Sequence, residues 1–244
     1  LGDEKYLSMA LKSGRFIEAE MLRKDAGLWR SYHRGEASID GFLDDYAFTA
    51  LAFMRLYEVT FDIHWLTTAR LLAEFALKHF DDGQGEMFLY TSDLSEPLIV
   101  KRTELADNVI PSSNAAMAEV LLLLGEYYQD NRYTYRSKAM VRAMAGRISS
   151  EDVFYANWAR IAGIQSHKPF EVAITGEHAL EKNHALQRHY NPLAIFLGGE
   201  KENLPLLENK WVADKTVIYV CRDHTCRLPV EEVDLALEQL KLGR

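Results

Sequence analysis

Two adjacent carboxylates, Asp44 and Asp45, stand at the start of a stretch that is otherwise almost entirely apolar. The stretch that follows them carries charge only at Arg55 and Glu58. A helix that is apolar on nearly every side is buried, so charges at its start need a partner, a ligand or the helix N-terminus itself. Such a pair can serve as general acid and base. It can equally cap the helix or pair with an arginine such as Arg102.

Aromatic side chains precede and follow this carboxylate pair. Trp29 and Tyr32 lie upstream of it, and Tyr46 comes directly after it. Aromatic rings of this kind stack on sugar rings, which makes them candidates for substrate binding. The alternative is that they belong to the hydrophobic core, where such residues are common.

Cys221 and Cys226 form a second group of chemical interest, because they flank Arg-Asp-His-Thr at the end of a predicted strand. With His224 they offer three zinc ligands, one fewer than a closed structural site needs. A turn of this length can close a disulfide, but in a reducing compartment we expect two reduced, partly buried thiols. A redox role for the two cysteines remains a secondary hypothesis. We expect no metal, and no cofactor, since Gly176 lacks the further glycines and lysine of a phosphate loop.

The composition narrows the class of protein. A chain of 244 residues with 48% hydrophobic residues can form one large domain or one and a half ordinary ones. A net charge of −8, without a cluster of lysine or arginine, argues against nucleic acid and membrane surfaces as partners. No apolar run approaches about 18 residues, and no signal peptide is visible. These features, with only two cysteines, predict a cytoplasmic location.

The elements that would position the carboxylates form an internal repeat. We predict helices over 3–24, 41–60, 65–78, 115–128, 133–148 and 153–165, with a short hairpin of strands at 87–90 and 98–100. A shift of 70 residues aligns several side chains of similar type: Asp44 with Asn114, Leu51 with Leu121, Tyr57 with Tyr127, Trp65 with Tyr135, Ala69 with Ala139 and Ala73 with Ala143. Each unit is one buried helix followed by one amphipathic helix, as in a helical solenoid or toroid.

The pattern changes after residue 166. We predict strands at 170–174, 193–197 and 216–220, with helices at 177–188 and 229–242. Short apolar runs between helices are typical of an α/β unit whose strands are parallel. The sequence therefore predicts a helical-hairpin segment over residues 1–166 and a small α/β appendage over residues 167–244.

Three stretches resemble one family: Gly41 to Tyr57, Asp107 to Asn114 and Val220 to Pro229. They are similar to the C-terminal portion of the thioredoxin-domain-containing proteins related to spermatogenesis-associated protein 20. In that family a thioredoxin-like domain precedes a six-hairpin (α/α) toroid similar to N-acylglucosamine 2-epimerases and six-hairpin glycosidases. The resemblance covers most of the chain and implies a mainly α fold, a partial (α/α) toroid with a small C-terminal α/β appendage. Ser113 departs from the family pattern, which has glycine there.

The resemblance also implies where a site would lie. In such toroids the inner helices direct one set of ends into a central funnel, where the following side chains would converge: Asp44, Asp45, Asp107, Asn108, Ser112 and Asn114. The separation of acids across the funnel decides retaining from inverting glycoside hydrolysis. Epimerase-like toroids use histidines for proton abstraction, which implies His33 as a further candidate. The catalytic candidates are thus Asp44, Asp45, His33 and Asp107, and the substrate-binding candidates are Trp29, Tyr46, Asn108, Ser112 and Asn114.

Two functions follow from these expectations. The first is a sugar-binding or carbohydrate-processing domain of the epimerase or glycosidase class, with a small-molecule sugar ligand and acids at the funnel. The second is a non-catalytic scaffold for a thioredoxin-like domain outside this chain, with Cys221 and Cys226 as an exchange pair.

Overall fold

The computed structural model describes residues 3–96, 101–148, 153–199, 203–223 and 225–241. Its helices are α1 Glu4–Phe16, α2 Leu43–Thr60, α3 Ile63–His79, α4 Ser113–Tyr128, α5 Asn131–Ala143, α6 Ala145–Ile148, α7 Ala156–His167, α8 Ala179–Gln187 and α9 Val233–Gln239. Its strands are β1 Trp29–His33, β2 Glu36–Asp40, β3 Phe170–Thr175, β4 Ala194–Gly199, β5 Val217–Arg222 and β6 Thr225–Cys226. The prediction of a mainly α chain with a smaller α/β part is confirmed.

Two helical hairpins, α2 with α3 and α4 with α5, form the centre of the molecule. Both turns use the same local device. Phe61 and Gln129 end the first helix of each hairpin in the left-handed conformation, with φ of 55° and 50°. Asp62 and Asp130 then begin the next helix, each accepting a hydrogen bond from the backbone N–H two residues on. A left-handed residue followed by an acidic N-cap reverses the chain sharply, which sets each pair of helices side by side.

The structure corrects the predicted alignment of the outer helices. Helices α2 and α4 begin 70 residues apart, as predicted, but α4 is two residues shorter, with 16 residues against 18. The outer helices α3 and α5 are therefore offset by 68 residues. Trp65, which is 3% exposed, corresponds to Tyr133, which is 1% exposed, whereas the predicted partner Tyr135 is 67% exposed.

The connection from α3 to α4 differs from the predicted strand hairpin. Residues 87–90 do not form a strand, and 98–100 lie outside the described residues. Instead, the stretch formed by residues 86–96 and 101–112, which we name the crossing segment, passes the starts of α2 and α4. The backbone N–H of Leu43 donates to the Tyr90 carbonyl at 3.0 Å, and the N–H of Tyr90 donates to the Arg102 carbonyl at 2.8 Å.

A β-hairpin precedes α2, where a short extended piece and a loop were predicted. Strands β1 and β2 pair antiparallel with His33 opposite Glu36. Arg34 and Gly35 form the turn with φ of 51° and 88°. Positive φ at both central residues matches the twist of a two-residue hairpin. Strand β2 lacks a clear alternation of apolar and polar residues, which is why its sequence resembles a loop.

The C-terminal part contains a four-stranded sheet with strand order β4-β3-β5-β6. Strands β3 and β4 are parallel and joined through α8, whereas β3 and β5 are antiparallel, so the expectation of parallel strands holds for one pair. The terminal helix begins later than predicted because Val230 pairs with Ile218 of β5. Among the described helices, none combines the length and the hydrophobicity needed to cross a membrane.

The C-terminal part packs directly against the end of α2. Asn183 of α8 donates its amide to the Glu58 carbonyl at 2.7 Å, and Gln187 donates to the same oxygen at 2.9 Å. The backbone N–H of Phe196 donates to the Glu58 carboxylate at 3.3 Å. One hydrophobic core runs through both parts.

Candidate functional site

The predicted carboxylates Asp44 and Asp45 lie at the start of α2, and both contact one guanidinium. Arg30 of β1 donates through Nη1 to Asp44 at 3.1 Å and to Asp45 at 2.7 Å. Asp45 also accepts the backbone N–H of Phe42 at 2.8 Å. The Tyr90 hydroxyl, from the crossing segment, donates to the other oxygen of Asp44 at 3.2 Å. Three separate segments of the chain thus converge on the two carboxylates, and we name this set of four polar side chains, Arg30, Asp44, Asp45 and Tyr90, the α2 cluster.

The α2 cluster combines helix capping with a half-buried charge array. Burial raises the pKa of the Asp45 carboxyl above its ordinary value, an effect that Asp44 reinforces and that the Phe42 N–H and Arg30 oppose. Burial, with a further contribution from Asp44, raises the pKa of Tyr90 to about 12. The Tyr90 hydroxyl is therefore protonated at neutral pH and acts as a hydrogen-bond donor. The partner of the carboxylates is Arg30, and not Arg102, which we had named as an example.

The α2 cluster is accessible from one side. The side chains of Arg30, Asp45 and Asp44 are 35%, 22% and 10% exposed. The Arg30 guanidinium also lies 4.7 Å from the centre of the Phe42 ring. A flat guanidinium, two carboxylates, a phenol and an aromatic face provide donors, acceptors and an apolar surface for a ligand with several hydroxyl groups.

Asp107 and Ser112 instead serve the starts of two helices. One oxygen of Asp107 accepts the backbone N–H of Ser112, and the other accepts that of Asn157 at the start of α7, both at 2.9 Å. Asp107 is 8% exposed. The Ser112 hydroxyl accepts the Ala115 N–H at 3.1 Å and is the N-cap of α4. Because both oxygens of Asp107 are bound to the backbone, the structure does not free this acid for proton transfer.

Asn114 fastens the crossing segment to α4. Its side-chain oxygen accepts the Phe88 N–H at 2.8 Å, and its amide donates to the carbonyls of Phe88 and Glu104 at 3.0 and 3.1 Å. The residue is fully buried, which leaves no surface for a substrate. Asn108, by contrast, is exposed on the loop. The two predicted amides therefore do not act together.

The remaining predicted residues near the carboxylates separate into core and surface. Tyr46 is buried, stacks on Phe75 at 5.0 Å, and accepts the Leu28 N–H at 2.7 Å through its hydroxyl, which makes it a core residue. Trp29 is half-buried beside the Arg23 guanidinium, 4.9 Å from its ring centre. His33 is exposed at the end of β1. Since side chains alternate along a strand, His33 and Arg30 point to opposite sides of β1.

A second polar group, formed by residues Arg55, Glu58, Glu119, Arg160 and Tyr127, was not predicted. Glu58 accepts the Tyr127 hydroxyl at 2.8 Å and Arg55 at 2.5 Å. Arg160 of α7 forms a two-pronged ion pair with Glu119 of α4, and Arg55 lies 3.9 Å from Glu119. The signal was the presence of Arg55 and Glu58 in an apolar helix, but their partners on α4 and α7 depend on tertiary packing.

The predicted cysteine pair has a different state from the one expected. Cys221 and Cys226 are joined in a disulfide, and not reduced. The physical reason is the register of β5 and β6, which places the two residues directly opposite each other. His224, the third proposed zinc ligand, lies outside the described residues. Within the described ranges, no group of three or more histidine, cysteine, aspartate or glutamate side chains is arranged to hold a metal ion.

A cavity of about 330 Å³ lies where the turn between α2 and α3 meets the ends of β3 and β4. Its lining includes Phe61, Asp62, Gly176, Glu177 and Gly198. None of the predicted site residues contributes to it. The cavity and the α2 cluster are thus separate places, and the cluster holds the predicted chemistry.

Comparison with known proteins finds distant relatives. The chain is 24% identical over 254 residues to spermatogenesis-associated protein 20 of Homo sapiens, which covers 95% of this chain and 32% of that protein. The Rattus norvegicus protein of the same name gives the same values. An uncharacterised protein of Caenorhabditis elegans is 23% identical over 255 residues, which covers 98% of this chain and 34% of that protein. The chain thus spans about one third of the length of these relatives. No family model matches it.

Proposed function

We propose that this chain binds a sugar or a similar polyol at the α2 cluster. The observation that carries the proposal is the convergence of Arg30, Asp44, Asp45 and Tyr90, from three segments, into one half-buried set of donors and acceptors. Vicinal hydroxyl groups are recognised by paired hydrogen bonds of this kind, in which each ligand hydroxyl both donates and accepts.

Binding is better supported than turnover. A two-acid mechanism needs one carboxyl to give a proton while the other acts as base or nucleophile. Asp44 and Asp45 share one guanidinium, and both oxygens of Asp107 accept backbone N–H groups. Asp45, whose pKa is raised, is the member of the cluster best suited to donate a proton if turnover occurs.

The test is calorimetric titration of the chain with a panel of monosaccharides that includes glucose and N-acylglucosamines. Asp44→Asn and Asp45→Asn should weaken the binding at least about tenfold, equivalent to roughly 1.4 kcal/mol. Asp214→Asn is the matched control, because Asp214 is exposed and its φ of 58° suits asparagine equally well. Equal affinity in wild type and both cluster variants, or no binding of any sugar, contradicts the proposal.

The second candidate is the non-catalytic scaffold for a thioredoxin-like domain. The observation that favours it is the Cys221–Cys226 disulfide at the edge of the C-terminal sheet, with Cys226 exposed. Disulfides in cytoplasmic proteins are usually transient and serve exchange or sensing. A redox-active disulfide therefore agrees with the cytoplasmic location that we propose for this protein.

A further inference from the structure

The two sulfurs of the C-terminal disulfide have very different access to solvent. Cys221 lies on β5 and is 1% exposed, whereas Cys226 lies on the short strand β6 and is exposed. Strand β6 is the edge of the sheet, next to β5. An external thiolate can therefore reach Cys226 but not Cys221. In exchange through Cys226, the buried Cys221 is the leaving group.

A buried carboxyl group lies beside that leaving group. Glu171 of β3 is directly opposite Cys221 in the antiparallel pairing of β3 with β5. Cys221 is in turn directly opposite Cys226 in the pairing of β5 with β6. Residues directly opposite on neighbouring strands project from the same face of the sheet, with Cβ atoms about 5 Å apart. Glu171, Cys221 and Cys226 thus form one row on one face, and Glu171 is 1% exposed.

We propose that the Cys221–Cys226 disulfide is a thiol–disulfide exchange site for an external dithiol, with Glu171 as the proton donor to Cys221. The inference deepens the scaffold function, and its choice of a protein dithiol as natural partner rests on that function. A buried thiolate is unfavourable in apolar surroundings, so exchange at this position needs a proton at Cys221. Among the three strands β3, β5 and β6, Glu171 is the carboxyl group placed directly across from that sulfur.

The exchange balances in two steps. One thiolate of the partner attacks Sγ of Cys226, the S–S bond breaks, and its electron pair goes to Sγ of Cys221, which takes the proton of the Glu171 carboxyl. The second thiolate of the partner then attacks its own sulfur in the mixed disulfide and releases Cys226 as a thiolate. The partner dithiol is oxidised to a disulfide, and the cysteine pair is reduced by two electrons. In re-oxidation the Glu171 carboxylate takes the proton back from Cys221.

The first test compares single-cysteine variants under native conditions. In Cys221→Ala the exposed Cys226 should react with an aromatic disulfide reagent at a rate close to that of a free cysteine. In Cys226→Ala the buried Cys221 should react at least about a hundredfold more slowly until denaturant is added. Equal rates in the two native variants overturn the proposed order of attack.

The second test separates proton donation from packing at Glu171. The readout is the rate at which dithiothreitol reduces the disulfide of the folded chain. If Glu171 donates a proton, Glu171→Gln should be slower by about tenfold or more, and Glu171→Asp should recover part of the rate because it keeps a carboxyl group. A role in packing gives the reverse order, since glutamine matches the length of glutamate. Glu181→Gln, on exposed α8 surface, is the control.

The choice of partner is tested separately from the exchange chemistry. Reduction of the folded chain by dithiothreitol through Cys226 supports the exchange site. If a thioredoxin then reduces the chain no faster than dithiothreitol at equal concentration, the scaffold function is contradicted while the exchange site stands. If neither reagent reduces the folded chain, the exchange site is overturned.

Discussion

At the scale of single residues, the α2 cluster shows how one carboxylate pair can have structural and chemical roles together. Asp45 accepts the Phe42 N–H at the start of α2, binds Arg30, and remains partly exposed. The sequence indicated the location through the charge at the start of an apolar helix, but it did not indicate Arg30 or Tyr90. Those two residues come from a hairpin and a crossing segment whose paths depend on contacts distant in sequence.

The titration of Asp45 gives a prediction with a definite sign. Its pKa in the folded chain is raised above 3.8, mainly by burial, so the folded state binds a proton more tightly than the unfolded state. This group therefore lowers the free energy of unfolding as pH rises through the window just above 3.8. The stability of wild type relative to Asp45→Asn should increase on acidification from about pH 6 to about pH 4. Urea unfolding of both proteins measures it, and an opposite slope would show that Arg30 outweighs burial.

Asn114 gives a second prediction at this scale. Asn114→Ala removes three hydrogen bonds to buried backbone groups, so it should lower the free energy of unfolding by about 3 kcal/mol or more. Asn108→Ala, six residues earlier and exposed, should change it by no more than about 0.5 kcal/mol. Chemical denaturation of the two variants measures the contrast. Similar losses in both would mean that the crossing segment is not fastened through Asn114.

At the scale of elements, the repeat could be read from the sequence for the inner helices but not for the outer ones. The start of α4 is marked by its own N-cap, Ser112, and the apolar runs of α2 and α4 align at 70 residues. The two-residue difference in helix length appears only at the left-handed residues Phe61 and Gln129. Neither is glycine or asparagine, the residues typical of that conformation, so local sequence gave little indication of where each helix ends.

The corrected alignment leads to a prediction for α5. Tyr133→Ala should cost about 3–4 kcal/mol of stability, because the ring is 1% exposed and its hydroxyl bonds Arg70 and Glu74. Tyr135→Ala, at a position 67% exposed, should cost less than about 1 kcal/mol. Thermal unfolding of the pair checks it. The reverse order would restore the alignment at 70 residues.

At the scale of the whole molecule, the C-terminal part is attached to the helical part through the end of α2. The composition change near residue 166 predicted where the helical pattern stops, and α7 ends at His167. The contacts of Glu58 with Asn183, Gln187 and Phe196 are separated by more than 120 residues along the chain. Such long-range contacts leave no local pattern in sequence, which is why the docking of the two parts was not predicted.

The docking itself can be tested at Asn183. This side chain is fully buried and bonds the Glu58 carbonyl at 2.7 Å. Asn183→Ala should lower stability by about 1–3 kcal/mol and should reduce hydrogen-exchange protection in both β4 and the last turn of α2. Glu181→Ala, on the same helix with an 83% exposed side chain, is the control. Loss of protection in β4 alone would show that the two parts are not coupled through this contact.

The central claim is that a sugar binds at the α2 cluster. The most direct measurement is a nuclear magnetic resonance titration of the labelled chain with the tightest-binding monosaccharide, followed through the backbone amides of Phe42, Asp45 and Tyr90. The account predicts saturable shifts at these three amides, and weaker ones in Asp45→Asn. Shifts confined to the residues around Gly176 and Gly198, or no saturable shift at all, would contradict it.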